Sequence, residues 1–383
     1  MGYVSGARGY VFNPKTFSVV NKGDTPTEVD YGLLWEALKI VQTKYIDAGN
    51  IDPQKILYGA ISGAIAAAGD EYTQFFDPQT YAEFKTELQG SFSGIGAEID
   101  STDGSVVVVA PLEGSPAEKA GLQARDLILK INNEDTAGMT AEQAANKIRG
   151  PEGSEVVLSI YREGRGEAFD VSITRQKIEI KSVNLSYKDV NGKRIAVIKI
   201  SRFGDDTEDL FSKAVADIQK NNPAGVVVDL RNDPGGYLST SVAVASQWLE
   251  KDVLVVTEAH SEKDTIVYNS DGSNGLGKFK TVVLINGGSA SAAEILAGAL
   301  KDNGKAQLVG EKSFGKGSVQ ELVPFGPNKD MAVKVTIAKW ITPSGKNLNK
   351  DGLEPDVKVE LTEDDFKAGR DPQLDKALQE MAK

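Results

Sequence analysis

Apolar residues first recur at helical spacing in Leu33, Leu34, Ala37, Leu38 and Val41, which predicts an amphipathic helix. A second helix follows Asp52-Pro53, with an N-cap aspartate and proline at the first helical position. Its apolar stripe, Ile56, Leu57, Ala60, Ile61, Ala64, Ile65 and Ala68, is broad enough for burial against another element or a second subunit, plain core being the simpler use. From residue 89 the pattern changes to short strands and turns: Ala97–Ile99, Val106–Val109 and Asp126–Asn132. A helix from Thr140 to Arg149 opens with a capping box, Thr140 followed three residues later by Gln143. Val156–Tyr161 and Phe169–Thr174 then read as a hairpin. Beyond residue 178 strands and helices alternate. Ile195–Ile200 is a strand, and the next helix, 206–220, puts Leu210, Phe211, Ala214, Val215 and Ile218 on one face. Continuous apolar runs at 225–230, 253–256 and 281–285 suit strands covered on both faces. A helix at 292–301, strands at 308–310 and 332–338, and a last helix at 372–381 complete the pattern.

The predicted class is therefore a mixed α+β multidomain chain whose largest part is an α/β layer structure. Its expected divisions are a leader (1–25), a helical region suited to dimerisation (26–88), a small β-rich domain (89–177), an α/β core (178–360) and a helical tail (361–383). At 383 residues, two or three domains are expected.

Composition narrows the chemistry. The net charge of −12 argues against nucleic acid as a partner. There is no cysteine, so disulfides, thiol catalysis and Cys-based zinc sites are excluded. The one histidine, His260, rules out a multi-histidine metal site, and it lies in a polar run, Thr257–Lys263, that reads as solvated. Neither a metal nor a cofactor is implied. Hydroxyls, carboxylates, lysines and backbone groups must do the work. No run of about 18 apolar residues appears, so no membrane span is expected. The unfolded-looking leader suggests a remnant left after removal of a membrane anchor.

Gly287-Gly-Ser-Ala-Ser291-Ala-Ala-Glu294 joins a buried strand to a helix. A serine there stands at the carboxyl end of a sheet, where ligands of open α/β folds collect, beside N–H groups of a first helical turn. Ser291 with Glu294 equally matches a capping box, in which the serine only closes a helix end. Twenty-five residues on, Lys316 sits between two glycines in Phe314-Gly-Lys-Gly-Ser-Val-Gln320. If that segment is extended, Lys316, Ser318 and Gln320 share a face. At pH 7 an unperturbed lysine is neutral in roughly one molecule in 2,500, given a reference pKa of about 10.4, so a lysine base must be buried.

The segment 89–177 resembles a PDZ domain of the bacterial protease type, on Gly94-Ile-Gly-Ala97, Gly114-Ser-Pro-Ala117, Ala120-Gly-Leu122 and Asp126–Asn132. Gly94, Ile95, Gly96 and Ala97 are then the expected binding loop, its N–H groups converging on a peptide carboxylate, and the strand from Ala97 offers an edge for β-augmentation. Arg149, at the end of the helix, either couples domains or is simply a favourable cation at a helix C-terminus.

The two motifs around Ser291 and Lys316, with Tyr72-Thr-Gln-Phe75, Asp229–Gly236 and Gly352–Asp356, resemble the C-terminal processing (tail-specific) peptidases, PDZ-containing serine proteases of family S41. Ala293 departs from the family, which often has serine there. The resemblance implies a crotonase- or Clp-like protease core with an inserted PDZ domain. It also implies Ser291 as nucleophile, Lys316 as general base, Gln320 as its orienting residue, and an oxyanion hole from Ala292 and either Gly235 or Gly236. Protein substrates with unstructured C-termini, a homodimer and a cell-envelope location follow from the same resemblance. The alternative is a catalytically idle scaffold that uses only the PDZ groove.

Overall fold

The computed structural model describes residues 10–13, 18–21, 30, 32–102, 104–112, 114–179, 181–362, 364–365 and 368–382. The chain divides between Ala67 and Ala68 into two compact units.

The first unit holds a hairpin, β1 (Tyr10–Asn13) and β2 (Ser18–Asn21), inside the stretch expected to be a plain leader. Helices α1 (Gly32–Lys44) and α2 (Pro53–Ala66) follow. The Asp52 carboxylate accepts the Gln54 N–H at 2.8 Å, which closes the start of α2 as expected. Neither helix has a buried residue. Leu33 (64% exposed), Val41 (44%) and Leu57 (48%) show that the apolar stripes are uncovered in the single chain.

The second unit begins with β3 (Gln74–Phe76) and α3 (Pro78–Leu88). The small β domain comprises β4 (Ser91–Gly94), β5 (Ala97–Thr102), β6 (Ser105–Pro111), α4 (Pro116–Lys119), β7 (Leu127–Ile131), β8 (Glu134–Asp135), α5 (Ala141–Ile148), β9 (Glu155–Tyr161), β10 (Phe169–Thr174) and β11 (Gln176–Glu179). Its sheet runs β10-β9-β7-β6-β5 with β8 paired to β7, and β11 pairs back with β4. Val106, Val108, Ile128, Val156, Leu158 and Ile160 fill its core.

The larger body contains β12 (Val183–Val190), β13 (Lys193–Ile200), α6 (Thr207–Asn221), β14 (Gly225–Asp229), α7 (Leu238–Ala245), β15 (Leu254–Ala259), β16 (Thr265–Asn269), β17 (Thr281–Ile285), α8 (Ala292–Asp302), β18 (Ala306–Gly310), β19 (Ser318–Phe325), β20 (Met331–Ile341), β21 (Val357–Lys358) and α9 (Pro372–Ala382). Its main sheet is β12-β13-β14-β17-β18-β21, parallel except for β12. Every residue of β14 and β17 is buried, as continuous apolar runs require of strands covered on both faces. Residues of α6, α7 and α8 pack into the core on one face. The other face is covered by Ala377, Leu378 and Met381 of α9. A second sheet runs β16-β15-β20-β19, and β3 pairs with β20. Residues 68–88, which the sequence groups with the N-terminal helices, thus join the second unit: Phe76 and Tyr81 pack on Ala332.

Candidate active site

Two loops leave the carboxyl ends of neighbouring parallel strands, 230–237 after β14 and 286–291 after β17. Polar bonds lace them together. Ser289 Oγ donates to the Leu230 carbonyl (2.8 Å), Ala290 N–H to the Asp233 carbonyl (2.9 Å), and Asn286 Nδ2 to Asn232 Oδ1 (2.9 Å). The lacing delivers Ser291 to the start of α8 at φ +53°, ψ −116°, a conformation that side-chain-bearing residues rarely adopt. Such a geometry costs on the order of 1–3 kcal/mol and persists only where its surroundings enforce it.

Glu294 does much of that enforcing. Its side chain is fully buried, and four donors converge on it: Ser313 Oγ (2.6 Å) and Gly315 N–H (2.8 Å) on Oε1, Lys316 N–H (2.9 Å) and Ser291 N–H (3.0 Å) on Oε2. Burial pushes its pKa up, and the four hydrogen bonds oppose that rise. The backbones of Ser291 and Lys316 therefore hang from one oxygen atom. The motif read from sequence as a possible helix cap is the joint between the serine loop and the lysine loop. Ser313 is fixed in turn by Leu353, whose N–H donates to Ser313 Oγ (2.7 Å), and this explains the Gly352–Asp356 motif.

Lys316 lies just before β19. Burial pushes its pKa down to about 8; Lys334 lowers it further, and Glu294 opposes the shift. Its ammonium lies 5.4 Å from the centre of the Tyr72 ring, which gives the Tyr72–Phe75 motif a place at the site. Trp340 Nε1 donates to the Lys316 carbonyl (2.8 Å) and holds the loop from behind. Gln320 Nε2 donates to Ser318 Oγ (2.8 Å) and Thr336 Oγ1 (3.1 Å). Ser318 and Gln320 thus share a face of β19, while Lys316 precedes the strand.

At Gly235 (φ +100°) a Cβ would lie 2.8 Å from Ser291 Cβ and 2.9 Å from Ala292 N, so only glycine fits. Gly236 (φ +142°) is pressed equally hard on the other side, where a Cβ would meet the Phe203 carbonyl at 2.1 Å. The Gly235 N–H donates to Asp233 Oδ1 (2.8 Å). Among the described residues, the N–H groups of Gly236 and Ala292 have no acceptor.

In the β domain, Gly94 pairs with Gln176, Ile95 is buried, and the Ile95 and Gly96 carbonyls accept from Ala117 and Leu112. Ala97 begins β5, the open edge of its sheet, with α5 lying against it. Arg149 is the C-cap of α5. His260 sits apart from these loops in sequence and pairs with buried Glu258 (3.0 Å). Three residues at the site escaped the sequence reading. The four-donor role of Glu294 was hidden inside a cap signature. Asp233 stands within the Asp229–Gly236 motif with no role of its own there, and nothing in sequence spacing links Tyr72 to position 316.

Residues 194–359 match the peptidase family S41 model, and residues 107–162 match a PDZ domain model. The chain is 37% identical over 358 residues to the carboxy-terminal processing protease CtpB of Bacillus subtilis, covering 93% of this chain and 73% of that one. It is 36% identical over 310 residues to CtpA of the same organism, covering 81% and 65%. The solved photosystem II D1 C-terminal processing protease is 30% identical, with a TM-score of 0.54 over 86% of this chain and 87% of that one. With a parallel sheet that presents Ser291 and Lys316 on loops tied to one carboxylate, and with these similarities along most of its length, this chain belongs to the carboxy-terminal processing proteases of peptidase family S41.

Proposed function

We propose that the chain is a Ser/Lys endopeptidase that cleaves proteins near unstructured C-terminal tails captured by its PDZ domain. The observation that carries this reading is the shared Glu294 oxygen, which ties the Ser291 backbone to that of a buried lysine whose pKa is pushed down to about 8. With that value about one lysine in ten is neutral at pH 7, roughly two hundred times the unperturbed fraction.

Neutral Lys316 takes the Ser291 Oγ proton as Oγ attacks the peptide carbonyl, and the resulting ammonium protonates the departing amine. The lysine, neutral again, activates the water that clears the acyl-enzyme. The unspent N–H groups of Gly236 and Ala292 receive the oxyanion, which selects Gly236 over Gly235, whose N–H is already committed to Asp233. The amide nitrogen of Gln320 is held by Ser318 and Thr336, which leaves its carbonyl oxygen as the end able to accept from the amine. The open edge of β5 beside α5 supports tail binding by strand addition. The uncovered apolar stripes of α1 and α2 support the homodimer, and a cell-envelope location belongs to the same proposal.

The test is cleavage of unfolded casein and of a tail peptide with a free C-terminus. Ser291→Ala and Lys316→Ala are each expected to lower the rate by about a thousandfold or more, with little change in melting temperature. Wild-type cleavage by the serine variant would overturn Ser291 as the nucleophile, and no cleavage by the wild type would leave the PDZ scaffold.

A further inference from the structure

Asp233 stands where the two active-site loops cross, yet the mechanism above gives it no chemistry. Its side chain is fully buried. Oδ1 accepts the Gly235 N–H at 2.8 Å, while Oδ2 is buried and has no hydrogen-bond partner among the described residues. Its backbone carbonyl accepts from Ala290, the residue before the nucleophile. We propose that Asp233 is a positioning residue of the oxyanion site that works only as the neutral carboxylic acid, so that its ionisation turns the peptidase off. The proposal rests on the Ser/Lys reading.

The surroundings explain why the neutral form is the working one. A carboxylate with one donor and an empty oxygen, out of contact with water, is poorly stabilised. The segment 202–206 brings Arg202, Asp205 and Asp206 near the loop. Arg202 is the charge that reaches Asp233, but its guanidinium is paired with Asp206 at 2.8 Å. Loop 286–291 contributes no ionisable side chain, and the first turn of α8 contributes Glu294, which is occupied by its four donors. Burial accordingly pushes the Asp233 pKa up to about 8.

Holding the Gly235 N–H turns that peptide away from the site and leaves the next N–H, that of Gly236, to the substrate. A negative charge on Asp233 would lie one peptide from the developing oxyanion and oppose it, with little water to screen the repulsion. Lys316 must lose its proton and Asp233 must keep its own. The pH–rate curve is therefore a narrow bell, with Lys316 setting the acid limb and Asp233 the alkaline limb.

The experiment compares kcat/KM on a fluorogenic tail peptide from pH 5.5 to 10.5 for the wild type, Asp233→Asn, Asp233→Ala and Ser291→Ala. Asparagine still accepts from Gly235 but cannot ionise. Its alkaline limb should vanish, with activity at pH 10 at least about tenfold above wild type. Alanine should lower kcat while KM holds. An asparagine curve whose alkaline limb superimposes on the wild-type limb overturns the proposal. Residual activity in Ser291→Ala would instead overturn the Ser/Lys reading, so the two failures are distinct. If the asparagine variant does not fold, carbon-13 NMR of aspartate-labelled Ser291→Ala protein decides: one carboxyl must titrate above pH 7, and its absence overturns the proposal.

Discussion

Helices α5 and α8 start with the same four-residue signature, Thr140 with Gln143 and Ser291 with Glu294. At α5 both reciprocal bonds form, Gln143 N–H to Thr140 Oγ1 (3.2 Å) and Thr140 N–H to Gln143 Oε1 (3.0 Å), on an exposed surface with Thr140 at an ordinary φ of −73°. At α8 the acid is buried, three of its four donors come from outside the Ser291 N–H bond, and the serine is held at φ +53°. The first arrangement ends a helix. The second uses the helix end to hold two distant segments and a strained serine in one place. What separates them is burial, the sign of φ and the number of long-range donors, none of which the four letters encode.

The widest gap between the two should come from removing the acceptor at N3. Glu294→Ala strands four donors, those of Ser313 and Gly315 buried, and should cost about 3–5 kcal/mol of stability, with proteolysis lowered by about a hundredfold or more. Gln143→Ala should cost about 1 kcal/mol or less and leave peptide-bond cleavage unchanged. Denaturant melts and casein assays on both variants measure the contrast, and equal losses would erase it. A smaller effect concerns the first residue. Ser291→Gly removes the hydroxyl but relieves the positive φ, so a dead enzyme about 1 kcal/mol more stable than wild type is expected. Thr140→Gly should instead lose a few tenths of a kcal/mol. A Ser291→Gly protein less stable than wild type would show that no strain is stored there.

Much of the architecture was legible because burial on both faces writes itself as continuous apolar runs. Val226–Val228 and Val282–Ile285 could hardly be anything but central strands, and the hairpin of β9 and β10 followed from alternation and turn residues. β12, whose Val183, Leu185 and Tyr187 alternate with polar residues, and β16, exposed at a sheet edge, lack a continuous apolar run and are absent from the sequence reading. The helical region expected at 26–88 spans the division at Ala67–Ala68, because the pairing of Phe75 and Phe76 with β20 involves residues more than 250 positions away. At the site, residue types and spacing pointed to Ser291, Lys316 and the glycines. Which N–H is unspent, why the lysine is desolvated and where Asp233 points depend on long-range packing that a linear pattern does not carry.

The central claim is that Lys316 is buried enough to shed its proton near neutrality. Burial depresses its pKa, so the amine is charged and idle well below pH 8 and becomes a base as the pH rises through about 8. The most direct measurement is the titration of the Lys316 ε-carbon by NMR in lysine-labelled Ser291→Ala protein, assigned against Lys316→Arg. The account predicts a midpoint near 8; a midpoint at the ordinary lysine value of about 10.4 would contradict it.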